Sequence, residues 1–183
     1  VMVSLTIFNI DTCTLEWNGV NETMTRIGSG TDVTCNITKP TTDGTTYTYK
    51  VYANNTAGAQ GNESERTFRE NALPSIPTLD YPTNGDDFFT NRTPRLNWTQ
   101  STDAELDTVT YAFQLSLTDD FSTILINQTG IADNNYTQIN ELDFNQYFWR
   151  VKPSDGYENN TWSTTNNFTL VPSVIITLVN AEV

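Results

Sequence analysis

Ten asparagines in this chain stand two places before a serine or threonine, with no proline between: Asn21, Asn36, Asn54, Asn62, Asn91, Asn97, Asn127, Asn135, Asn159 and Asn167. Such a triplet is the acceptor pattern for an N-linked glycan, which ties it to exported chains and to surface positions. With 21 asparagines and 42 serines and threonines among 183 residues, random placement would give about five triplets. Composition accounts for roughly half, and the excess points outside the cell. Strand alternation supplies a second test, because a glycan needs a face that meets water. In "VTCNIT" the apolar Val33, Cys35 and Ile37 share one face and turn Asn36 outward. In "RLNWT" Leu96 and Trp98 leave Asn97 outside, and in "NFTL" Phe168 and Leu170 do the same for Asn167. Covalent N-glycans are therefore expected, and no cofactor is.

The chain holds two cysteines, Cys13 and Cys35, and no histidine. Cys13 falls in phase with Leu15 and Trp17, and Cys35 with Val33 and Ile37, so both thiols are placed to face one core. In an oxidising compartment a bridge closing a loop of about 22 residues contributes on the order of 3 kcal/mol; the alternative is two buried free thiols. Two thiols without histidine leave too few soft ligands for zinc.

Catalytic chemistry is thinly provided. Without histidine, a nucleophilic serine or cysteine lacks its usual general base, and no enzyme activity is expected. Paired carboxylates could hydrolyse glycosides, but Asp86 with Asp87 and Asp119 with Asp120 sit in short turn-like segments, where solvated surface is the simpler reading. The loop "DAELD" sets Asp103, Glu105 and Asp107 at alternate positions that could converge on a hard cation such as calcium. It lacks the glycine and the distal bidentate glutamate of the helix-loop-helix calcium site, and ordinary turn chemistry is the alternative. Tyr157 and Trp162 flank "ENN" as a possible sugar platform, unless Trp162 packs.

The elements that must position these residues are strands. Thr, Val, Ile, Tyr, Phe and Trp recur with period two in short runs, and Asn, Gly, Asp and Pro separate the runs. Hydrophobic residues make up 37% of the chain, enough to build cores. The net charge of −13 repels phosphate backbones, so nucleic acid is not an expected partner. No apolar run approaches the ~18 residues of a membrane span, and the first residues lack the positive start of a signal peptide. The run "RENALPSIPTLDYP", residues 69–82, reads as a short, stiff proline linker that divides the chain near residue 73.

Beyond that linker, strand-like runs occur at "PRLNWTQ", "TVTYAFQLSL", "STILINQTG", "NNYTQI", "NQYFWRVKPSD" and "TNNFTLV". With Trp98 on the second strand, "DTVTYAFQLS" on the third, and "YFWRVKPSDG" before "WS" and "NFTL", residues 74–171 resemble a fibronectin type III domain. The version is similar to those of bacterial and archaeal surface proteins. The resemblance implies that Trp98 and Tyr147 are packing residues. In residues 3–70, "CTLEWNGVNETM" followed by "GTTYTYKVYANNTAGAQGNESERTF" resembles immunoglobulin-like domains of archaeal cell-surface proteins. It departs from the usual bridge between second and sixth strands, because "YTYKVYAN" has no cysteine. At about 70 residues it is also small for the fold, with room for a missing or borrowed strand.

The expected fold is therefore all-β: two tandem sandwiches, an immunoglobulin-like one over 1–72 and a fibronectin type III-like one over 73–171. Residues 172–183 form a third piece. Within them "VIITLVNAE", residues 174–182, matches "VSLTIFNID", residues 3–11. That match fits the first strand of a following repeat, a donor strand for a neighbouring subunit, or a coincidence of strand patterns. The resemblances imply a structural extracellular repeat protein, glycosylated, forming a stalk, sheath or filament, with neighbouring copies as partners. The alternative they allow is an adhesin or viral-fibre module that binds a glycan or protein receptor.

Overall fold

The computed structural model describes residues 2–7, 10–30 and 32–173. The segment from residue 174 onward, expected to begin a new repeat or to donate a strand, lies outside the described residues. The chain divides into two units, Val1–Ala72 and Leu73–Val183, and every regular element described is a strand.

Unit 1 carries β1 (Met2–Ile7), β2 (Ile10–Trp17), β3 (Val20–Thr23), β4 (Thr25–Ser29), β5 (Asp32–Thr38), β6 (Thr46–Asn55), β7 (Gln60–Asn62) and β8 (Arg66–Arg69). They form two sheets, β1-β5-β4 and β3-β2-β6-β7, with β8 also paired to β6. The β2–β3 hairpin turns on Asn18-Gly19, both at positive φ (48° and 78°), the primed-turn geometry that matches strand twist and that an Asn-Gly pair adopts at low cost. Alternation does the rest. Cys13, Leu15 and Trp17 of β2 point in, as do Val33 and Cys35 of β5, and the two sheets close on them. Cys13 and Cys35 are bonded to each other, a staple between the two sheets. An aromatic cluster holds the same core, with Trp17, Tyr47 and Phe68 at centroid separations of 5.0 to 5.8 Å.

Unit 2 carries β9 (Leu79–Tyr81), β10 (Asp86–Phe88), β11 (Arg95–Trp98), β12 (Thr110–Ser116), β13 (Ile124–Ile131), β14 (Asn135–Thr137), β15 (Gln146–Ser154) and β16 (Asn166–Leu170). Its sheets are β14-β11-β9 and β10-β16-β15-β12-β13. Pairing is antiparallel except that β10 runs parallel to β16. No disulfide is needed here: Trp98, Tyr111, Phe113, Tyr147, Trp149 and Phe168 are all at most 2% exposed. Each such side chain contributes roughly 1.5–3 kcal/mol by leaving water. Phe113 stacks on Tyr136 at 4.4 Å and Tyr147 on Phe168 at 5.4 Å.

The proline run of residues 69–82 is not all linker. Its second half is wall: Pro74, Pro77 and Pro82 are buried, and Leu79 enters the core from β9. Ser75 N–H donates to Thr102 O at 2.8 Å and Thr99 N–H to Thr78 O at 2.8 Å. Proline suits such an edge strand because its missing amide faces no partner.

Tyr147 O–H donates to the backbone carbonyl of Asp143 at 2.8 Å, the tyrosine-corner arrangement of sandwich folds. Burial, reinforced by the Asp143 charge, raises its pKa above the ordinary value. A raised acid favours the neutral phenol in the folded state, so its contribution is present below the unfolded pKa of about 10 and is lost as pH rises beyond it. Unit 2 should therefore lose stability in alkali above about pH 10. Tyr147→Phe should cost about 1 kcal/mol at neutral pH and flatten that alkaline decline, as read by chemical denaturation across pH. For unit 1, replacing both cysteines with alanine should remove about 3 kcal/mol, read as faster hydrogen exchange in peptides from 10–69 with those from 79–170 unchanged.

Candidate functional site

The sequon asparagines are placed by strand alternation. In unit 1 the inward phase of Cys13, Leu15 and Trp17 turns Thr12, Thr14 and Glu16 outward, and the pairing partners share that outer face. Register sets Asn21 opposite Glu16, Asn54 opposite Thr12, and Asn62 opposite Tyr52. Three acceptors thus stand on one face of the sheet. Tyr52 occupies its middle, donating its hydroxyl to the Glu16 carboxylate with the Lys50 ammonium 4.9 Å from its ring centre. The hydrogen bond to Glu16 holds the phenol above its ordinary pKa. A shallow cavity of ≈ 200 Å³ lies among Thr14, Asn21, Tyr52 and Asn54. Asn36 is on the opposite sheet, in register with Ser4 and Thr25.

In unit 2, Asn127 lies on the outer face of the larger sheet, where its Oδ1 accepts from Gln114 Nε2 at 3.3 Å. Gln114 Oε1 in turn accepts from Arg150 Nε and Nη2 at 2.9 and 2.7 Å. The Arg150 guanidinium sits 3.7 Å from the Phe121 ring centre and 4.5 Å from that of Trp162, with Lys152 5.0 Å from Trp162. Burial lowers the Arg150 pKa. Asn167, on the same face, gives its side-chain N–H to Asn84 Oδ1 at 2.8 Å and accepts from Gln146 at 3.3 Å. Asn91 accepts from the Thr93 amide at 3.1 Å, and Asn159 is exposed beyond β15. On the smaller sheet, Asn97 of β11 is directly opposite Asn135 of β14.

None of the ten is buried: Asn21, Asn62, Asn91, Asn127 and Asn159 are exposed, and Asn36, Asn54, Asn97, Asn135 and Asn167 half-buried. N-glycosylation replaces one of two amide hydrogens and leaves the oxygen in place. At Asn54, Asn91 and Asn127 the bonded atom is that oxygen, so the bond survives the sugar. At Asn167 the nitrogen is engaged, and its second hydrogen is the one to replace.

The other candidates resolve into turn chemistry. Asp103 is buried, and its Oδ1 accepts from the amides of Glu105 and Asp107, each at 3.0 Å. It ties a loop in which Leu106 adopts a φ of 64°. Among the described residues no group of three acidic or other ligating side chains is gathered for a metal, so "DAELD" does not converge. Asp86 accepts from Thr83 N–H and O–H, both at 2.7 Å. Asp120 accepts from the Ser122 amide at 2.9 Å, and that bond leads those that hold its pKa down at about 2. That direction is opposite to what a general acid needs. Tyr157 is exposed, while Trp162 is half-buried with Arg150 and Lys152 over its ring, so the two do not form an open platform. The Phe121–Arg150–Trp162 group escaped sequence reading. Alternation in "YFWRVK" marks Arg150 as outward, but both aromatic partners come from distant loops.

No protein-family model matches the chain, and no curated protein matches it. Among solved structures, it is similar to the FN1–FN3 domains of chicken CNTN1, at 14% identity over 93% of this chain and 62% of that one, with a TM-score of 0.42. It is also similar to the fibronectin(III)-like modules of Clostridium thermocellum CbhA, at 11% identity over 93% of this chain and 85% of that one, with a TM-score of 0.44. The chain thus spans less than two thirds of the CNTN1 structure. The fold is a tandem of immunoglobulin-like and fibronectin type III-like sandwiches. That description stands on the strand orders and registers themselves.

Facing residues on adjacent antiparallel strands have Cβ atoms about 5 Å apart, too close for two unhindered glycans. In glycopeptide mass spectrometry of exported material, molecules occupied at both Asn97 and Asn135 should be depleted relative to the product of the single occupancies. Asn97→Gln should raise occupancy at Asn135.

Proposed function

We propose that the chain is an extracellular, N-glycosylated structural module whose copies are joined in series as a stalk, sheath or filament at a cell surface, with no catalytic role. The observation that carries this reading is the placement of the ten acceptor asparagines. Every one reaches solvent, and in each unit those on strands occupy outer faces of both sheets, while Asn91 and Asn159 stand in loops. A disulfide between the sheets of unit 1 fits an oxidising compartment. Stacked sandwiches supply reach, and glycans would shield sheet edges that otherwise pair promiscuously.

A recognition module needs an aromatic or charged patch clear of glycans. One such group, around Arg150 and Trp162, shares its face with Asn127 and Asn167. That arrangement favours coverage over capture.

The test is to isolate the native polypeptide, map its glycopeptides, then reduce it, strip its glycans chemically and weigh it under denaturing conditions. Sugars at several of the ten sites on surface-located material are the expected result. Bare asparagines throughout, or material confined to the cytosol, would overturn the reading. A mass near 20.6 kDa would mean that copies meet without a covalent joint, and one several times larger that they share a backbone.

A further inference from the structure

The two flanks of unit 2 are guarded by different chemistry. Each flank is made of two edge strands, one from either sheet. On one side β9 leads through residues 82–85 into β10. Asp80 of β9 and Asp87 of β10 are exposed there, and Pro82 follows β9 directly. Charge and proline are common devices that stop a free edge from pairing with another chain. On the other side β13 leads through residues 132–134 into β14. The link is held to β11, with Trp98 N–H donating to Asn134 O at 3.1 Å and Asn134 Nδ2 donating to Trp98 O at 2.9 Å. Among the described residues β13 pairs only with β12, and β14 only with β11. Neither strand, "ILINQTGI" or "NYT", contains a charge or a proline, and Ile124 and Leu125 are 41% and 46% exposed. The neighbouring carboxylates lie in the turns outside, Asp119 and Asp120 before β13 and Asp133 after it. What both strands carry instead is an acceptor asparagine, Asn127 and Asn135.

Asn127 stands at the centre of the stretch that is open to pairing. Register shifts on either side leave Ile126, Asn127 and Gln128 as the regular run of β13, opposite Leu115, Gln114 and Phe113. A straight strand added to this edge pairs along that run, and its nearest side chain then lies about 5 Å from Asn127. A sugar there excludes the strand, and a bare amide does not.

We propose that the β13–β14 flank is a lateral self-association surface whose occupant is the same flank of a second copy of the chain, and that a glycan at Asn127 closes it. The charge of the chain selects this occupant. At a net −13 two copies repel over most approaches, and they meet most easily where the edge strands carry no carboxylate. Two β13 strands paired antiparallel about a twofold axis through Asn127 set Ile126 of each copy opposite Gln128 of the other. Each edge is then covered by its partner, so assembly closes at two. The bulges shorten the run that pairs, which makes the contact weak and reversible. Lateral contact between neighbouring stalks would thus depend on the occupancy of one asparagine.

The proposal deepens the structural reading by naming the surface and its partner, and it rests on that reading for the sugar alone. The unglycosylated 183-residue chain is examined by sedimentation velocity over a wide range of concentration, and a reversible dimer is the expected result. Asn127→Lys places two like charges face to face and should weaken the dimer by about fivefold or more, whereas Asn159→Lys, the same charge change in a loop, should leave it unaltered. Far-UV circular dichroism of both variants should match the parent. In the parent itself, hydrogen exchange in peptides covering 124–131 should slow as concentration rises, with those covering 86–88 unchanged. A partly glycosylated preparation, separated by size, should show Asn127 occupied in the monomer fraction and bare in the dimer. A bare chain that stays monomeric at every concentration, a dimer equally sensitive to both lysines, or protection that does not rise over 124–131 overturns the surface. Equal occupancy of Asn127 in the two fractions overturns the gate. Each of these results leaves the glycosylated structural reading standing, and native material without sugar at any site overturns that reading while the dimer of the bare chain remains as measured.

Discussion

The strands that build the two cores have one face to hide and one to show, and the two-residue period between them is the constraint on which both sandwiches rest. A slip of one residue in β2 would put Thr12, Thr14 and Glu16 where Cys13, Leu15 and Trp17 now close the core. The staple to Cys35 would be lost with it. A one-residue slip in β5, β11 or β16 would likewise carry Asn36, Asn97 or Asn167 inward. Packing and surface chemistry are therefore one pattern read from opposite sides, and a sequence that satisfies the first largely fixes the second.

The two units meet that constraint by different means. Unit 1 is small, and its core combines an aromatic trio of Trp17, Tyr47 and Phe68 with a covalent tie. Unit 2 spreads two buried tryptophans, two buried tyrosines and two phenylalanines across its sheets and needs no tie. This follows the general economy of small domains, in which a cross-link substitutes for core that the chain is too short to build.

Much of this was legible in the sequence because it depends on local alternation. In unit 1 the runs "VSLTIFNI", "TCTLEWNG", "DVTCNIT", "TTYTYKVYAN" and "SERTFRE" read as strands and correspond to β1, β2, β5, β6 and β8, and the six runs beyond the linker correspond to β11, β12, β13, β14, β15 and β16. The strands that escaped are short or broken by turn residues: β3, β4 and β7 in unit 1, and β9 and β10 among the prolines and glycine before Arg95. A three-residue strand carries too little periodicity to announce itself, and proline argues against a strand unless the edge it occupies is known. The outward placement of Asn36, Asn97 and Asn167 was readable for the same local reason. That Asn97 faces Asn135, or that Arg150 lies between Phe121 and Trp162, depends on register between distant segments, which no local pattern encodes.

The parallel pairing of β10 with β16 has a mechanical side. One strand lies near the start of unit 2 and the other at its end, they run in the same direction, and Val171 N–H extends the contact by donating to Phe88 O at 2.9 Å. A pull on the two ends of unit 2 would slide these strands past each other, loading all their hydrogen bonds at once in shear instead of peeling them singly. Unit 1 has no such clasp among its described strands. Under tension the second sandwich is therefore held by a clasp loaded in shear, and in the first the segment from Cys13 to Cys35 cannot lengthen past its disulfide.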